Sequence, residues 1–139
     1  RNPNNPCLFC NSKASGIAHE NDLAYASYDT YPVSNHHCLI IPKRHVIDYF
    51  ELTDDELVAC NDFIKVIKEE ILIKDKNVKA FNIGTNAGKI AGQSIMHCHI
   101  HLIPTTHMGQ LSFANAAASV ERSTLEAHAE KITAALASL

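Results

Sequence analysis

His97, His99 and His101 recur at period two inside the segment QSIMHCHIHLIP, which runs from Gln93 to Pro104. In an extended chain that spacing turns three imidazoles to one face, because successive side chains alternate sides. Ile95 and Ile103 flank them there, while Met96, Cys98, Ile100 and Leu102 make the opposite face apolar. Imidazole titrates near neutral pH, ligates metals and can act as a nucleophile, so three in register point to chemistry beyond packing. Two histidines at i and i+2 can converge on one zinc. The outer two lie about 13 Å apart at roughly 3.3 Å per residue, too far to share one ion easily. Different histidines therefore have different jobs. Just upstream, Gly92, Gln93 and Ser94 offer close backbone approach, an amide and a hydroxyl, a cradle for an α-phosphate beside an imidazole nucleophile. On the residues alone, metal-assisted hydrolysis and nucleophilic attack at phosphorus stand level.

A second group with chemical potential is the C-x-x-C pair Cys7 and Cys10. The other three of five cysteines, Cys38, Cys60 and Cys98, sit in apolar surroundings where a thiol behaves as a small hydrophobe. An odd count favours a reducing compartment and a metal or redox role for the pair. Nine histidines are many for 139 residues, and His36, His37 and His45 bracket the apolar run Cys38–Ile41.

These groups need elements to hold them. Leu23 to Tyr28 reads as a strand ending at Asp29, with a turn over Pro32 to Asn35. Cys38 to Ile41 is a buried strand stopped by Pro42, and Lys43, Arg44 and His45 follow in a loop. Thr53 to Glu56 spells a capping box, and Leu57, Cys60, Ile64, Ile67 and Ile71 recur at helical spacing, predicting a helix over 53–74. Val78 to Thr85 reads as a strand, and Gly84, Gly88 and Gly92 punctuate the loop into the histidine segment. Residues 1–6 form a polar tail, and residues 120–139 predict a second helix. With no repeat and no break in composition, 1–139 reads as one domain. Strands in meander order around one long helix suggest an α+β fold with an antiparallel sheet. A formal charge of −3 and 19% charged residues argue against nucleic-acid polymers as partners. No apolar run reaches the roughly 20 residues needed to span a bilayer, and no secretory signal is visible, so a cytoplasmic location is expected.

Three blocks together resemble a known family. The histidine segment with Gly92, Gln93 and Ser94 before it is similar to the signature of the histidine triad (HIT) nucleotide hydrolases and transferases. Upstream, Asp29, Pro32, Val33, His37, Leu39–Pro42 and His45 resemble a second block of that family. Asn82, Gly84, Asn86, Gly88 and Ala91–Gln93 resemble its glycine-rich loop. The likeness runs from about Cys7 to Pro104. It implies a HIT-like α+β fold with an antiparallel sheet of about five strands and two main helices, commonly paired as a homodimer.

The resemblance also implies roles. His99 would attack the α-phosphorus and carry a nucleotidyl intermediate. His101, Ser94 and the backbone near Gly92 and Gln93 would contact the α-phosphate, and His37 would complete the imidazole cluster. Asp29 would accept from the ribose hydroxyls, and Asn86 would reach the phosphate or leaving group. An apolar base pocket is expected near Phe9 and Leu23. Some branches place zinc on a C-x-x-C and two histidines, here Cys7, Cys10, His45 and His97, a donor set suited to a structural site. The implied reaction is hydrolysis at a nucleotide's α-phosphate, with dinucleoside polyphosphates the leading class, AMP a product and magnesium accompanying the substrate's tail. Nucleotidyl transfer to phosphate or a sugar phosphate is an alternative, as is a nucleotide-binding module with incidental catalysis. Two departures stand out. Asn35 and His36 replace a usual Pro-Gly, so His36 could reach the site. Thr105, Thr106 and His107 stand where relatives carry a basic residue, with His107 a partial substitute.

Overall fold

The computed structural model describes residues 7–10, 16–29 and 34–110. The expected N-terminal tail, the turn at Pro32 and Val33, and the second helix over 120–139 lie outside the described residues.

The elements run β1 (His19–Glu20), β2 (Ala24–Tyr28), β3 (Cys38–Pro42), α1 (Asp54–Lys74), β4 (Ala80–Gly84) and β5 (Ile100–Thr105). The strands form one antiparallel sheet in the order β1-β2-β3-β5-β4, as the α+β expectation required. β1 is an addition to the expected strands. Asn21 creates its tight turn by accepting from the amides of Leu23 and Ala24.

The capping box forms as its spelling implies: Thr53 accepts from the Glu56 amide, and Glu56 accepts from the Thr53 amide. The buried stripe of α1 is Glu56, Ala59, Cys60, Phe63, Ile67 and Ile71, while Leu57 and Ile64 flank it half-buried. That is a small rotation from the expected stripe, and Glu56 is its cause. Its buried carboxylate takes Arg44 Nε at 3.0 Å and Nη2 at 2.8 Å, which holds its pKa down at about 2. Arg44 also donates to the Glu51 carbonyl, so the loop after β3 is fastened to the start of α1. His45 is the next residue of that loop.

One sheet face packs Ala24, Ala26, Cys38, Ile40, Ile100 and Leu102 against α1. The other face carries Tyr25, Leu39, Ile41 and Ile103, and Phe9 of the N-terminal segment seals it. Both faces of the histidine-bearing strand are therefore dry. Burial raises the thiols of Cys38, Cys60 and Cys98 to about 12, so they act as packing groups. No helix among the described residues is long and apolar enough to cross a membrane.

Candidate active site and metal centre

β5 begins only at Ile100, so the expected single strand of three histidines is shorter than its alternation suggests. The reason lies in the backbone acceptors before it. The His97 carbonyl accepts from the ring of His99, and the His99 carbonyl accepts from Thr85 Oγ1, each at 2.7 Å. The Cys98 amide bonds to the carbonyl of Val46, beside His45. Side chains and a loop, not a neighbouring strand, hold this stretch.

Cys7, Cys10, His45 and His97 come together with one ligand atom each, all within 4.8 Å of one another. Cys10 Sγ lies 3.1 Å from His45 Nδ1, both sulfurs lie 3.4 Å from His97 Nδ1, and the two Nδ1 atoms are 3.2 Å apart. With zinc–sulfur bonds of about 2.3 Å and zinc–nitrogen bonds of about 2.0 Å, a tetrahedron has N–N and N–S edges of roughly 3.3–3.6 Å. The four distances, 3.1 to 3.4 Å, lie close to that range. His97 Nε2 donates to the Pro42 carbonyl at 2.7 Å, which leaves Nδ1 with its lone pair toward the cluster. Burial lowers the pKa of His97, which favours the neutral ring a metal needs.

His37, His99 and His101 form a second group. The register Leu39↔His101 between β3 and β5 sets His37 diagonally beside His101. His37 Nε2 lies 3.4 Å from His101 Nδ1, and the His99 and His101 ring centroids are 5.3 Å apart. Burial, reinforced by His99, lowers His37 to about 4, and burial lowers His99 to about 4. Burial, with His99 and His37 adding to it, pushes His101 down as well. All three rings are neutral at pH 7.

Tautomers follow from the partners. His99 donates through Nδ1 to a carbonyl, so its Nε2 carries the lone pair. His37 Nδ1 lies 3.6 Å from the Asp29 carboxylate, so a neutral His37 turns its N–H that way. Its Nε2 then accepts from His101 Nδ1, and His101 also presents a lone pair at Nε2. Among the described residues, His99 Nε2 and His101 Nε2 are buried with no hydrogen-bond partner. Leaving two such atoms unmet costs on the order of 1–3 kcal/mol each, a cost consistent with a site waiting for a ligand.

A cleft of about 210 Å³ opens beside them, lined by Asn82, Gly84, Thr85, Asn86 and His101. Asn82, Gly84 and Asn86 of the expected glycine-rich loop line it, whereas the expected phosphate cradle of Gly92, Gln93 and Ser94 does not. Gly92 has φ +101, and a β-carbon there would sit 3.1 Å from Asn86 Nδ2, so glycine is required. Asn86 lines the cleft, yet its amide donates to the Ala91 carbonyl. The Gln93 side chain is buried, accepts from the Gly88 amide and donates to the carbonyls of Ile47 and Ile95. It braces the loop and does not present its amide to the cleft. Ser94 is exposed at the loop's end.

Asp29 is buried against His37, a placement that sequence reasoning about ribose did not anticipate. Phe9 and Leu23 are not brought together as one base pocket. Phe9 packs edge-on to His99 and His97, with centroids 5.1 and 5.8 Å away, whereas Leu23 lines a separate groove with Lys43 and Arg44. His36 leaves the site and bonds Asp75 at the end of α1, helped by its left-handed backbone at φ 65. His107 is exposed and bonds Thr106. Thr85 was missed in the sequence; its place just after Asn82-Ile83-Gly84 was the available signal.

Against known proteins, the family described as HIT domain matches residues 11–108. An uncharacterized HIT-like protein of Mycoplasma genitalium is 32% identical over 117 residues, covering 79% of this chain and 80% of that relative. The adenosine 5'-monophosphoramidase of Schizosaccharomyces pombe is 33% identical over 102 residues, covering 70% and 73%. Among solved structures, a zinc-bound histidine triad family protein from Mycobacterium smegmatis superposes with a TM-score of 0.68 at 25% identity, covering 96% and 94%.

Proposed function

Since the chain belongs to the HIT domain family, we propose that it hydrolyses nucleotides at the α-phosphate through a covalent intermediate on His99. The observation that carries this reading is the buried Nε2 of His99, which has no hydrogen-bond partner among the described residues and whose lone pair is set by the Nδ1 bond to the His97 carbonyl. In the first step Nε2 forms a bond to the α-phosphorus, and the bond to the leaving group breaks with its electron pair. With the anionic phosphate in the cleft, His101 carries a proton at Nε2 and passes it to the leaving group. In the second step water attacks the phosphorus, the N–P pair returns to His99, and His101 recovers its proton from that water. The sum is one water consumed, a nucleoside monophosphate released and the leaving group protonated. The covalent intermediate on His99 splits one hard displacement into two easier ones. Asp29, through His37, stabilises the charged form of His101.

Cys7, Cys10, His45 and His97 would hold zinc. All four positions come from protein, so the ion supplies cross-linking of the N-terminal segment to the sheet and no reactive water. The zinc-bound neighbour from Mycobacterium smegmatis supports the assignment.

For substrates, we favour AMP joined through its α-phosphate to a small leaving group such as an amine. Similarity to an adenosine 5'-monophosphoramidase supports this. Among the described residues, no lysine or arginine lines the cleft to grip a long polyphosphate. Dinucleoside polyphosphates are the second reading, resting on the Ala91–Gln93 loop, with magnesium on their tail and nucleotidyl transfer as a variant of the same chemistry. Free, buried cysteines fit a reducing, cytoplasmic setting. A homodimer would use β4, at the sheet edge, where Ile83 is exposed, and the outer side of α1, where Val66 and Ile73 are exposed.

The test is a panel of adenosine phosphoramidates, dinucleoside polyphosphates and adenylated conjugates, run with and without phosphate, products identified by mass spectrometry. AMP release with a nucleotidyl group trapped on His99 is expected. Turnover of none of them removes the enzyme reading and leaves a binding module.

A further inference from the structure

We propose that the metal loop is a positioning device for the nucleophile, acting on the His99 ring through Phe9 and through the backbone of His97. The inference rests on the zinc reading above and deepens it.

Phe9 lies between the two cysteines of the cluster, so its backbone is fixed wherever Cys7 and Cys10 are fixed. Its side chain is buried and meets His97 and His99 edge-on, at centroid distances of 5.8 and 5.1 Å. Tyr25 Oη donates to the Phe9 carbonyl at 2.7 Å from β2, which sets the depth of the wedge. The ring is thus a wall on one side of His99 and restricts rotation about its Cβ–Cγ bond. The second route is shorter. His97 is anchored at both ring nitrogens, by the cluster at Nδ1 and by Pro42 at Nε2. Its carbonyl is the acceptor for His99 Nδ1, the bond that selects the reactive tautomer. On the far side, Thr85 Oγ1 holds the His99 carbonyl at 2.7 Å. His99 is therefore clamped at its ring face, its ring N–H and its backbone. Two of the three clamps belong to residues of the metal loop or to a metal ligand. A metal held there would act without touching substrate, because Phe9 and the His97 carbonyl keep Nε2 aimed and its lone pair in place. A displacement near 1 Å in such a geometry lowers rate by as much as roughly 10²-fold.

The experiment compares zinc-loaded wild type, chelator-treated wild type and zinc-loaded Phe9→Ala and Phe9→Leu, all with ring-¹⁵N-labelled histidine. Zinc content is read by elemental analysis, folding by circular dichroism, the His99 tautomer by long-range ¹H–¹⁵N correlation, and kcat and KM on an adenosine phosphoramidate. A single Nδ1–H tautomer of His99 is expected in loaded wild type. Chelation and Phe9→Ala should each produce a mixture of tautomers, lowering kcat at least tenfold with KM within about twofold. Phe9→Leu, which refills the wall, should recover most of the loss. A folded chelated protein and a folded Phe9→Ala that both keep one His99 tautomer overturn this proposal while leaving hydrolysis and zinc standing. Wild type that holds no zinc overturns the metal reading and this proposal together. Because the tautomer is read without turnover, an inactive panel leaves the positioning result intact.

Discussion

Two histidine groups meet two residues apart, at His97 and His99, and differ in how fully their polar atoms are used. At Cys7, Cys10, His45 and His97, every ligand atom points into one small space, and His97 has a partner at each nitrogen. At His37, His99 and His101, the outward chain ends in two imidazole nitrogens with no partner among the described residues. Burial differs between them: Cys7 and Cys10 are half-buried, His45 is exposed and only His97 is buried, whereas His37, His99 and His101 are all buried. What sets their roles is satisfaction. A saturated cluster holds structure together, whereas an unsaturated one stores the capacity to bind. The largest prediction tests that division directly. His99→Ala should lower turnover by roughly 10⁴-fold or more and abolish nucleotidyl trapping, while zinc content and Tm stay near wild type. Zinc loss in that variant would show that the two groups are one unit.

The opposite cut is Cys7→Ser. It removes one of the four proposed zinc ligands and should release the ion, costing about 3 kcal/mol and on the order of 10 °C in Tm for a domain of this size. Elemental analysis and thermal unfolding measure both. Nucleotide affinity should fall far less than stability, because none of the four donors lines the cleft. A wild-type protein that purifies without metal ends the structural-site reading.

Between the two groups lies the loop 86–93, which belongs to neither but shapes the open one. Gln93 closes it with three side-chain hydrogen bonds. Gln93→Leu keeps the volume and strands an amide and two carbonyls, with an expected cost of roughly 2–4 kcal/mol. Urea unfolding would read the loss. If Gln93 instead contacted phosphate, the variant would lose nucleotide affinity with little change in stability.

The closed group was more legible in the sequence than the open one. Donor type and the C-x-x-C spacing carry nearly all the information about a tetrahedral site, so Cys7, Cys10, His45 and His97 could be named from the family's blocks and were found together. The long helix was equally plain, because Thr53 and Glu56 mark its start chemically. Its buried stripe was less plain, since a buried glutamate is invisible to hydrophobic periodicity until its partner Arg44 is placed. The same limit applies to the open group. Asp29 reads as a ribose ligand by its block, yet its contact with His37 depends on how β2 and β3 pair. Phe9 was identifiable as apolar but not as a wall on His99, because a segment 90 residues away in sequence delivers it. Nor could alternation reveal that β5 starts after His99. That boundary is set by Thr85 and by the histidine's own ring.

The smallest effect comes from the chain behind the open group. His37 is buried and its folded pKa is lowered to about 4 by desolvation and by His99. In the unfolded chain it returns to about 6.5. Between those values the unfolded state binds the extra proton, so stability falls as pH falls from 6.5 toward 4 and is flat for this group outside that window. Going from pH 7 to pH 5, His37 alone should contribute a loss of about 2 kcal/mol. Other groups contribute to the same pH response, so the quantity to measure is a difference. Urea unfolding of wild type and His37→Gln at both pH values isolates it: wild type should lose about 2 kcal/mol more than the variant. A smaller loss in wild type than in the variant would mean that Asp29, 3.6 Å from His37 Nδ1, holds the proton on His37 in the folded state. His37 would then be charged at rest, and the lone pair assigned to His101 Nε2 would have to move to Nδ1. The open group would still be unsaturated, but it would meet substrate as a donor from the outset.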